Sequence, residues 1–140
     1  MNRLSLTILA IAGVVGALGV MIGAFGAHGM ESHLKDIGVE ADLIPKRLDQ
    51  FDVGARYHLA HSLALWALAN STLLTRRSRI WVCSLLVAGI LLFSGSLYLL
   101  VYLNQPRLGA VTPLGGVAWI LAWGSVVVSA LAARSRQNDD

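Results

Sequence analysis

Hydrophobic residues in this chain fall into four long runs that contain no Asp, Glu, Lys or Arg. The runs are 24, 19, 27 and 26 residues long, and they are Leu4–Ala27, Tyr57–Thr75, Ile80–Pro106 and Leu108–Ala133. A helix needs about 20 apolar residues to cross the hydrocarbon core of a bilayer. In lipid, only helices and closed barrels satisfy every backbone polar group. The pattern therefore predicts an all-α integral membrane protein built from four helices.

These helices are expected to form one antiparallel bundle that makes up a single domain over residues 1–140. The expected spans are residues 4–27, 57–75, 80–103 and 109–133, with a polar loop at residues 28–56. A secretory signal is the alternative for the first run, but the apolar region of such a signal is only about 7–15 residues long. We therefore interpret the first run as a retained span.

Charge is confined to the segments between and beyond the runs. All 19 charged residues lie there, and the net charge is +3. Surface helices of soluble proteins carry a polar face along their length, which the charge-free runs do not provide. The arginines flank the runs instead of forming the basic stripe that binds nucleic acid. The sequence therefore indicates the lipid bilayer as the partner and argues against nucleic acid.

The first run carries a stripe of glycines. At about 100° per residue, four of them fall within roughly 80° of one another on a helix, and they are Gly16, Gly19, Gly23 and Gly26. Small residues on one stripe let membrane helices approach closely and gain van der Waals contact. We expect these glycines to pack against another helix, with the lining of a conduction path as the alternative.

The one long polar segment, residues 29–55, has the pattern of an amphipathic helix in its second half. Pro45 suits the first turn of a helix, and Leu48, Phe51 and Ala55 follow at spacings of three and four. This spacing predicts a helix that lies at the membrane interface or leads directly into the second span. A solvated connector is the open alternative.

The distribution of basic residues predicts an orientation. An even number of spans places both termini on one side, which carries six Lys or Arg residues against five on the other side. The tight loop at Arg76–Arg79 contains three arginines, and such loops stay in the cytoplasm. We therefore expect both termini to be cytoplasmic and residues 31–52 to be external.

Four segments of the chain together resemble a known family. They are residues 23–29 (GAFGAHG), 56–65 (RYHLAHSLAL), 89–98 (GILLFSGSLY) and 111–116 (VTPLGG). In this order they are similar to the small membrane proteins called domain of unknown function 423, a family with bacterial inner-membrane and vertebrate members. The resemblance covers almost the whole chain except the polar loop around residues 30–52. It implies a four-span protein of the cell (inner) membrane, and it implies no established activity.

Polar residues at the junction of the first two spans form a candidate site. The topology brings the end of the first span and the start of the second to one membrane level, and the residues concerned are His28, Arg56, Tyr57, His58 and His61. Polar groups inside a membrane are costly, so they mark either structural pairs or functional sites.

Three interpretations of this site remain open. The side chains can hydrogen-bond between helices and fix the bundle, or the histidines can relay protons in a transporter. They can also hold haem or a metal, although zinc usually takes three or four protein ligands and His58-x-x-His61 alone is a weak motif. The single cysteine, Cys83, is expected to act as a small apolar residue.

The sequence contains no catalytic arrangement of recognised spacing, so we assign no catalytic residue, metal ligand or cofactor, and we do not expect an enzyme. We expect an accessory or interaction protein of the membrane. The glycine stripe and the i, i+4 pair Trp119 and Trp123 are candidate surfaces for a homo-oligomer or for a larger membrane complex. A small oligomeric transporter or channel that uses the polar cluster, and a haem- or metal-binding membrane protein, are the alternatives.

Overall fold

The computed structural model of this chain describes residues 2–71 and 74–138, with side chains described up to residue 135. All regular elements in these ranges are helical. In chain order they are α1 (Arg3–His28), α2 (Met30–Asp36), α3 (Ile44–Asn70), α4 (Arg76–Gly89), a π-helical segment (Ile90–Ser94), α5 (Gly95–Tyr102), a 3₁₀ turn (Pro106–Ala110) and α6 (Thr112–Asn138). The prediction of an all-α protein is confirmed for the described residues.

Three helical stretches are long and apolar enough to cross a membrane, and they are Arg3–His28, Arg76–Tyr102 and Pro106–Ser135. The second long helix, α3, is not one of them, because its first half carries the charges of the polar segment. Its charge-free part, Tyr57–Asn70, falls short of the about 20 residues that a bilayer core requires. The count of four spans therefore stays a prediction.

The predicted bounds of the second span and of the polar loop differ from the observed helices. The amphipathic helix expected with Pro45 in its first turn continues directly into the charge-free run, so the two form one helix, α3, which starts at Ile44. The helix ends at Asn70 and not at Thr75, since Thr75 caps the next helix by accepting a hydrogen bond from the Ser78 amide at 3.2 Å. Most of the expected loop at 28–56 is thus helical.

Helix α2 fills part of that expected loop and is anchored to the bundle. Its Met30 and Leu34 are fully buried, and the His33 imidazole stacks on Tyr102 at a centroid distance of 4.2 Å. On the solvent side, the hydrogen bond and the positive charge of Lys35 lower the pKa of the Glu31 carboxyl. This helix closes one end of the bundle.

The glycine stripe of α1 lies against α3. A Cβ added at Gly19 would stand 2.9 Å from Leu59 Cδ2, and one added at Gly26 would stand 2.6 Å from the Phe51 ring. The other two glycines also face α3, with Gly16 beside Ser62 and Gly23 beside Ala55. Close approach of the two helices therefore depends on the missing side chains.

Two apolar cores stabilise the bundle, one toward each end. The first joins α1, α3, α4 and α6 around residues that include Ile8, Leu65, Leu86 and Ala122. The second joins α2, α3 and α5 around residues that include Met30, Leu34, Phe51 and Val101. His58 and His61 lie on the stretch of α3 between Phe51 of the second core and Leu65 of the first.

The π-helical segment marks the place where α6 packs against α4 and α5. The Trp119 indole occupies the space beside Gly89, where a Cβ would overlap it, and its Nε1–H donates to the Leu86 carbonyl at 3.2 Å. One turn earlier in α6, Gly115 lies directly against the backbone of Phe93. Short π-helical segments inside α-helices occur often at functional sites.

Candidate functional site

His61 is buried in the middle of the bundle with both ring nitrogens engaged. Its Nδ1 lies 2.8 Å from the Tyr57 carbonyl oxygen of the preceding turn, and its Nε2 lies 3.4 Å from the Trp123 indole nitrogen. A carbonyl only accepts and an indole N–H only donates. The contacts therefore select the neutral imidazole with the proton on Nδ1 and the lone pair on Nε2.

Aromatic side chains surround this histidine, and we call them the aromatic cluster: Tyr57, Phe93, Trp119 and Trp123. The Trp119 ring lies parallel to His61 at a centroid distance of 3.8 Å and an interplanar angle of 3°. It also stacks on Tyr57 at 5.6 Å and meets Phe93 at 4.8 Å. One face of the His61 ring is thus covered by indole.

His58 points to a different neighbour from His61. Its Nδ1 lies 3.1 Å from the Tyr98 hydroxyl of α5, and its Cδ2 would stand 3.3 Å from a Cβ at Gly19 of α1. Its backbone carbonyl accepts a hydrogen bond from the Ser62 hydroxyl at 2.8 Å. The two histidines therefore serve different helix contacts, His58 toward α1 and α5 and His61 toward α6.

The structure does not bring His28 to these residues. Because α1 and α3 run antiparallel with Gly16 beside Ser62 and Gly26 beside Phe51, His61 lies level with residue 17 of α1. His28 is eleven residues further along α1, which corresponds to about 16 Å. It is exposed and makes no side-chain hydrogen bond or ring contact with the described residues. The expected common level was wrong because α3 starts thirteen residues before Tyr57.

Arg56 also lies apart from the aromatic cluster. Its guanidinium forms an exposed ion pair with Asp52 at 2.9 Å, one turn back on α3. Tyr57, by contrast, is half-exposed and stacks within the cluster. Of the five residues in the expected site, the structure therefore joins Tyr57 and His61, places His58 on the neighbouring face of α3, and leaves His28 and Arg56 outside.

Two buried arginines were not distinguished by the sequence patterns. Arg47 donates from Nε to Asn104 Oδ1 and from Nη1 to Gln50 Oε1, each at 3.0 Å. Arg79 donates from Nη1 to Ser5 Oγ at 3.2 Å and to the Ser71 carbonyl at 3.1 Å. For Arg79 the sequence held one indication of burial. Val82 and Leu86 follow it at i+3 and i+7, so the three residues share one face of α4.

The two surfaces that we expected to be available for association, the glycine stripe and the Trp119/Trp123 face, are largely covered within the chain. The glycine stripe is occupied by α3 of the same chain, and Trp119 is only 4% exposed because it stacks on His61. Trp123 is half-exposed. No group of three or more His, Cys, Asp or Glu side chains with the geometry of a metal site occurs within residues 2–71 and 74–135.

An all-helical membrane protein is the class that these observations define: long apolar helices, glycine-mediated packing and polar groups paired inside the bundle. The chain belongs to the family described as a protein of unknown function (DUF423), whose model matches residues 22–116. The matched region begins in the last two turns of α1, contains α2 to α5 with the π-segment, and ends in the first turns of α6.

Relatives that are named membrane proteins cover nearly the whole chain. The UPF0382 membrane protein YwdK of Bacillus subtilis is 42% identical over 126 residues, which is 86% of this chain and 94% of that protein. A UPF0382 membrane protein of Haemophilus influenzae is 35% identical over 96% of this chain and 99% of its own length. One from Schizosaccharomyces pombe is 32% identical over 88% of this chain and 100% of its own length. No solved structure matches the chain.

Proposed function

We propose that this membrane protein acts by association, as an accessory or interaction subunit of the membrane, and not by catalysis. The observation that carries the proposal is that three buried polar side chains each make a hydrogen bond that joins two helices. His61 joins α3 to α6, His58 joins α3 to α5, and Arg79 joins α4 to α1. Hydrogen bonds of this kind contribute about 0.6 kcal/mol each in membrane proteins.

Transport and haem binding make different demands on the same residues. A proton relay through His61 requires its Nε2 to gain a proton where Trp123 N–H now points. Axial haem ligation requires the same lone pair and a free approach to it, whereas the ring is stacked on Trp119. Each of these functions would therefore require the aromatic cluster to rearrange.

The proposal is tested by affinity purification of the tagged full chain from membranes in mild detergent, with quantitative identification of what co-purifies. We expect one or a few membrane proteins to be enriched with the wild type. Two matched variants then add a bulky side chain to different exposed faces. Leu63→Trp changes α3 and Val128→Trp changes α6, at positions that are each 67% exposed. Loss of a partner in one variant and not in the other maps the interaction surface.

Results of two kinds contradict the proposal. One is recovery of the protein without any enriched partner from membranes in which it is abundant. The other is a Soret absorption band in the purified protein, or a proton flux into vesicles, that disappears in His61→Phe. That substitution keeps a ring beside Trp119 and removes the imidazole nitrogens.

We also infer that α3 crosses the cell (inner) membrane, which would bring the number of spans to four. We infer as well that both termini face the cytoplasm. The support is the distribution of charge. Arg76, Arg77 and Arg79 lie at one end of α3, and the carboxylates of residues 31–52 lie toward its other end. Cysteines at Ser78 or Ser32, in a Cys83→Ser background, report the orientation through an impermeant thiol reagent on intact cells. We expect labelling at Ser32 only, and labelling at Ser78 only reverses the assignment.

A further inference from the structure

Arg79 is a buried cation, and none of the carboxylates in the described part of the chain forms an ion pair with it. The residue is 7% exposed, its Nη1 donates to Ser5 Oγ and to the Ser71 carbonyl, and its Nε is buried without an acceptor. A buried charge that is not paired is costly, and an unsatisfied buried donor adds to that cost. Arg79 therefore lacks the anion that such a group normally has.

We call the end of the bundle around Arg79 the arginine end. Among the described residues, every charged side chain at this end is an arginine. It combines the starts of α1 and α4 with the end of α6, and its arginines are Arg3, Arg76, Arg77, Arg79 and Arg134. Every described carboxylate lies between Glu31 and Asp52. Asp52 is level with residue 26 of α1, about 30 Å from the level of Ser5. Among the described residues, therefore, no carboxylate lies at the level of Arg79 to act as this anion.

An apolar cavity shares one residue, Ser71, with the contacts of Arg79. Its volume is about 280 Å³, it lies between α3, α4 and α6, and its lining includes Ala67, Ser71, Leu74, Val82, Leu86 and Ala130. Ser71 contributes to both features, because it lines the cavity and its carbonyl accepts from Arg79. Val82 and Leu86 follow Arg79 on the same face of α4.

The dimensions of the cavity fit a lipid chain. On α3 its lining extends from Ala64 to Ser71, which is about 10 Å along the helix. Half the hydrocarbon core of a bilayer is about 15 Å deep. The cavity therefore runs from the level of the arginine end into one leaflet, along the direction that an acyl chain takes below its headgroup.

We propose that Arg79 and this cavity form a binding site for one anionic phospholipid, whose phosphate pairs with the Arg79 guanidinium and whose acyl chain occupies the cavity. The negative charge of the phosphate balances the buried cation. Binding holds the start of α4 against the ends of α1 and α3, to which Arg79 already donates. The site requires no titration and no bond formation.

The test compares matched variants of the full chain in detergent. Native mass spectrometry measures retained lipid, and thermal unfolding measures stabilisation by added phosphatidylglycerol, by zwitterionic phosphatidylcholine and by inorganic phosphate. Arg79→Gln is paired with Arg77→Gln, which removes the same charge from an exposed position two residues away. We expect phosphatidylglycerol to bind about tenfold more weakly to Arg79→Gln, and to bind Arg77→Gln as it binds the wild type.

A second pair of variants tests the acyl chain and keeps the proposal testable if Arg79→Gln does not fold. Ala67→Phe fills the cavity and leaves Arg79 intact, and Ala10→Phe adds the same bulk to an exposed face of α1. We expect Ala67→Phe alone to lose retained lipid. Equal losses in Arg77→Gln and Arg79→Gln, equal stabilisation by phosphatidylcholine, equal stabilisation by inorganic phosphate, or full lipid retention in Ala67→Phe each overturn the proposal.

Discussion

The imidazole of His61 lies flat on the indole of Trp119, with ring centroids 3.8 Å apart and planes within 3° of each other. This stack joins the second half of α3 to the first half of α6. Its position is set from two sides, since the Tyr57 carbonyl orients the imidazole and the Leu86 carbonyl orients the indole. The pair therefore links three helices through two aromatic rings and two backbone oxygens.

Two replacements of His61 should distinguish the stability contributed by the ring stack from that contributed by the hydrogen bonds. His61→Ala removes both, and we expect the free energy of unfolding in mixed micelles to fall by about 2 kcal/mol. His61→Phe retains a ring and should lose about half of that amount. Leu63→Ala, at an exposed position on the same helix, is the control and should change little. A wild-type value for His61→Ala would show that the stack adds no stability.

Substitutions in the glycine stripe should depend on the face of α1. Gly19→Leu inserts a side chain where a Cβ already stands 2.9 Å from Leu59 Cδ2, and overpacking of this kind costs about 1–3 kcal/mol. Gly13 has nothing within 4 Å of its Cβ position, so Gly13→Leu should leave thermal stability in detergent unchanged. Equal unfolding temperatures for the two variants would refute the packing of α1 on α3.

The π-segment offers a second matched pair of glycines. A Cβ at Gly89 overlaps the Trp119 indole, whereas a Cβ at Gly95 comes no closer than 3.8 Å to the Ile90 carbonyl oxygen. Gly89→Ala should therefore displace Trp119, shift the tryptophan emission and cost about 1–3 kcal/mol. Gly95→Ala should keep the wild-type emission spectrum. An unchanged spectrum for Gly89→Ala contradicts the observed position of the indole.

Asn104 combines an unusual backbone with a bond to a buried arginine. Its φ is 46°, in the left-handed region, and its Oδ1 accepts from Arg47 Nε at 3.0 Å. Both Asn104→Gly and Asn104→Ala lose this bond, but alanine alone adds a steric cost of about 1–2 kcal/mol in that region. Asn104→Ala should thus be the less stable variant in chemical denaturation. The reverse order would exclude the left-handed conformation.

The glycine stripe and the helical class could be predicted from the sequence because both depend on local periodicity and on the absence of charge. The start of α3 could not be read from the charge-free run, since the helix continues through residues that carry charge. We expected His61 near the level of His28 because we took the start of the charge-free run as the start of the second span. In the structure α1 and α3 already pack together at Gly26 and Phe51. Sequence also placed Trp119 and Trp123 on one face, but the direction of that face depends on the gap at Gly89 in another helix.

The two buried arginines escaped prediction for a related reason. Arginines at the ends of apolar runs are expected in the headgroup region, and the spacing of Arg79 to Val82 and Leu86 shows only that the three share a face of α4. Burial of Arg79 follows from the tertiary placement of Ser5 and Ser71. Likewise, burial of Arg47 depends on Asn104, which is 57 residues away in the chain.

Helix α3 is an unbroken rod of 27 residues, Ile44–Asn70, which makes it about 40 Å long. Arg47 ties its first turn to the loop after α5, and Arg79 ties the residue just after its last turn to α4. A rod fastened at both ends transmits displacement along its length. A displacement of the loop that carries Asn104 is therefore expected to reach the start of α4, because both contacts are made to the same continuous helix.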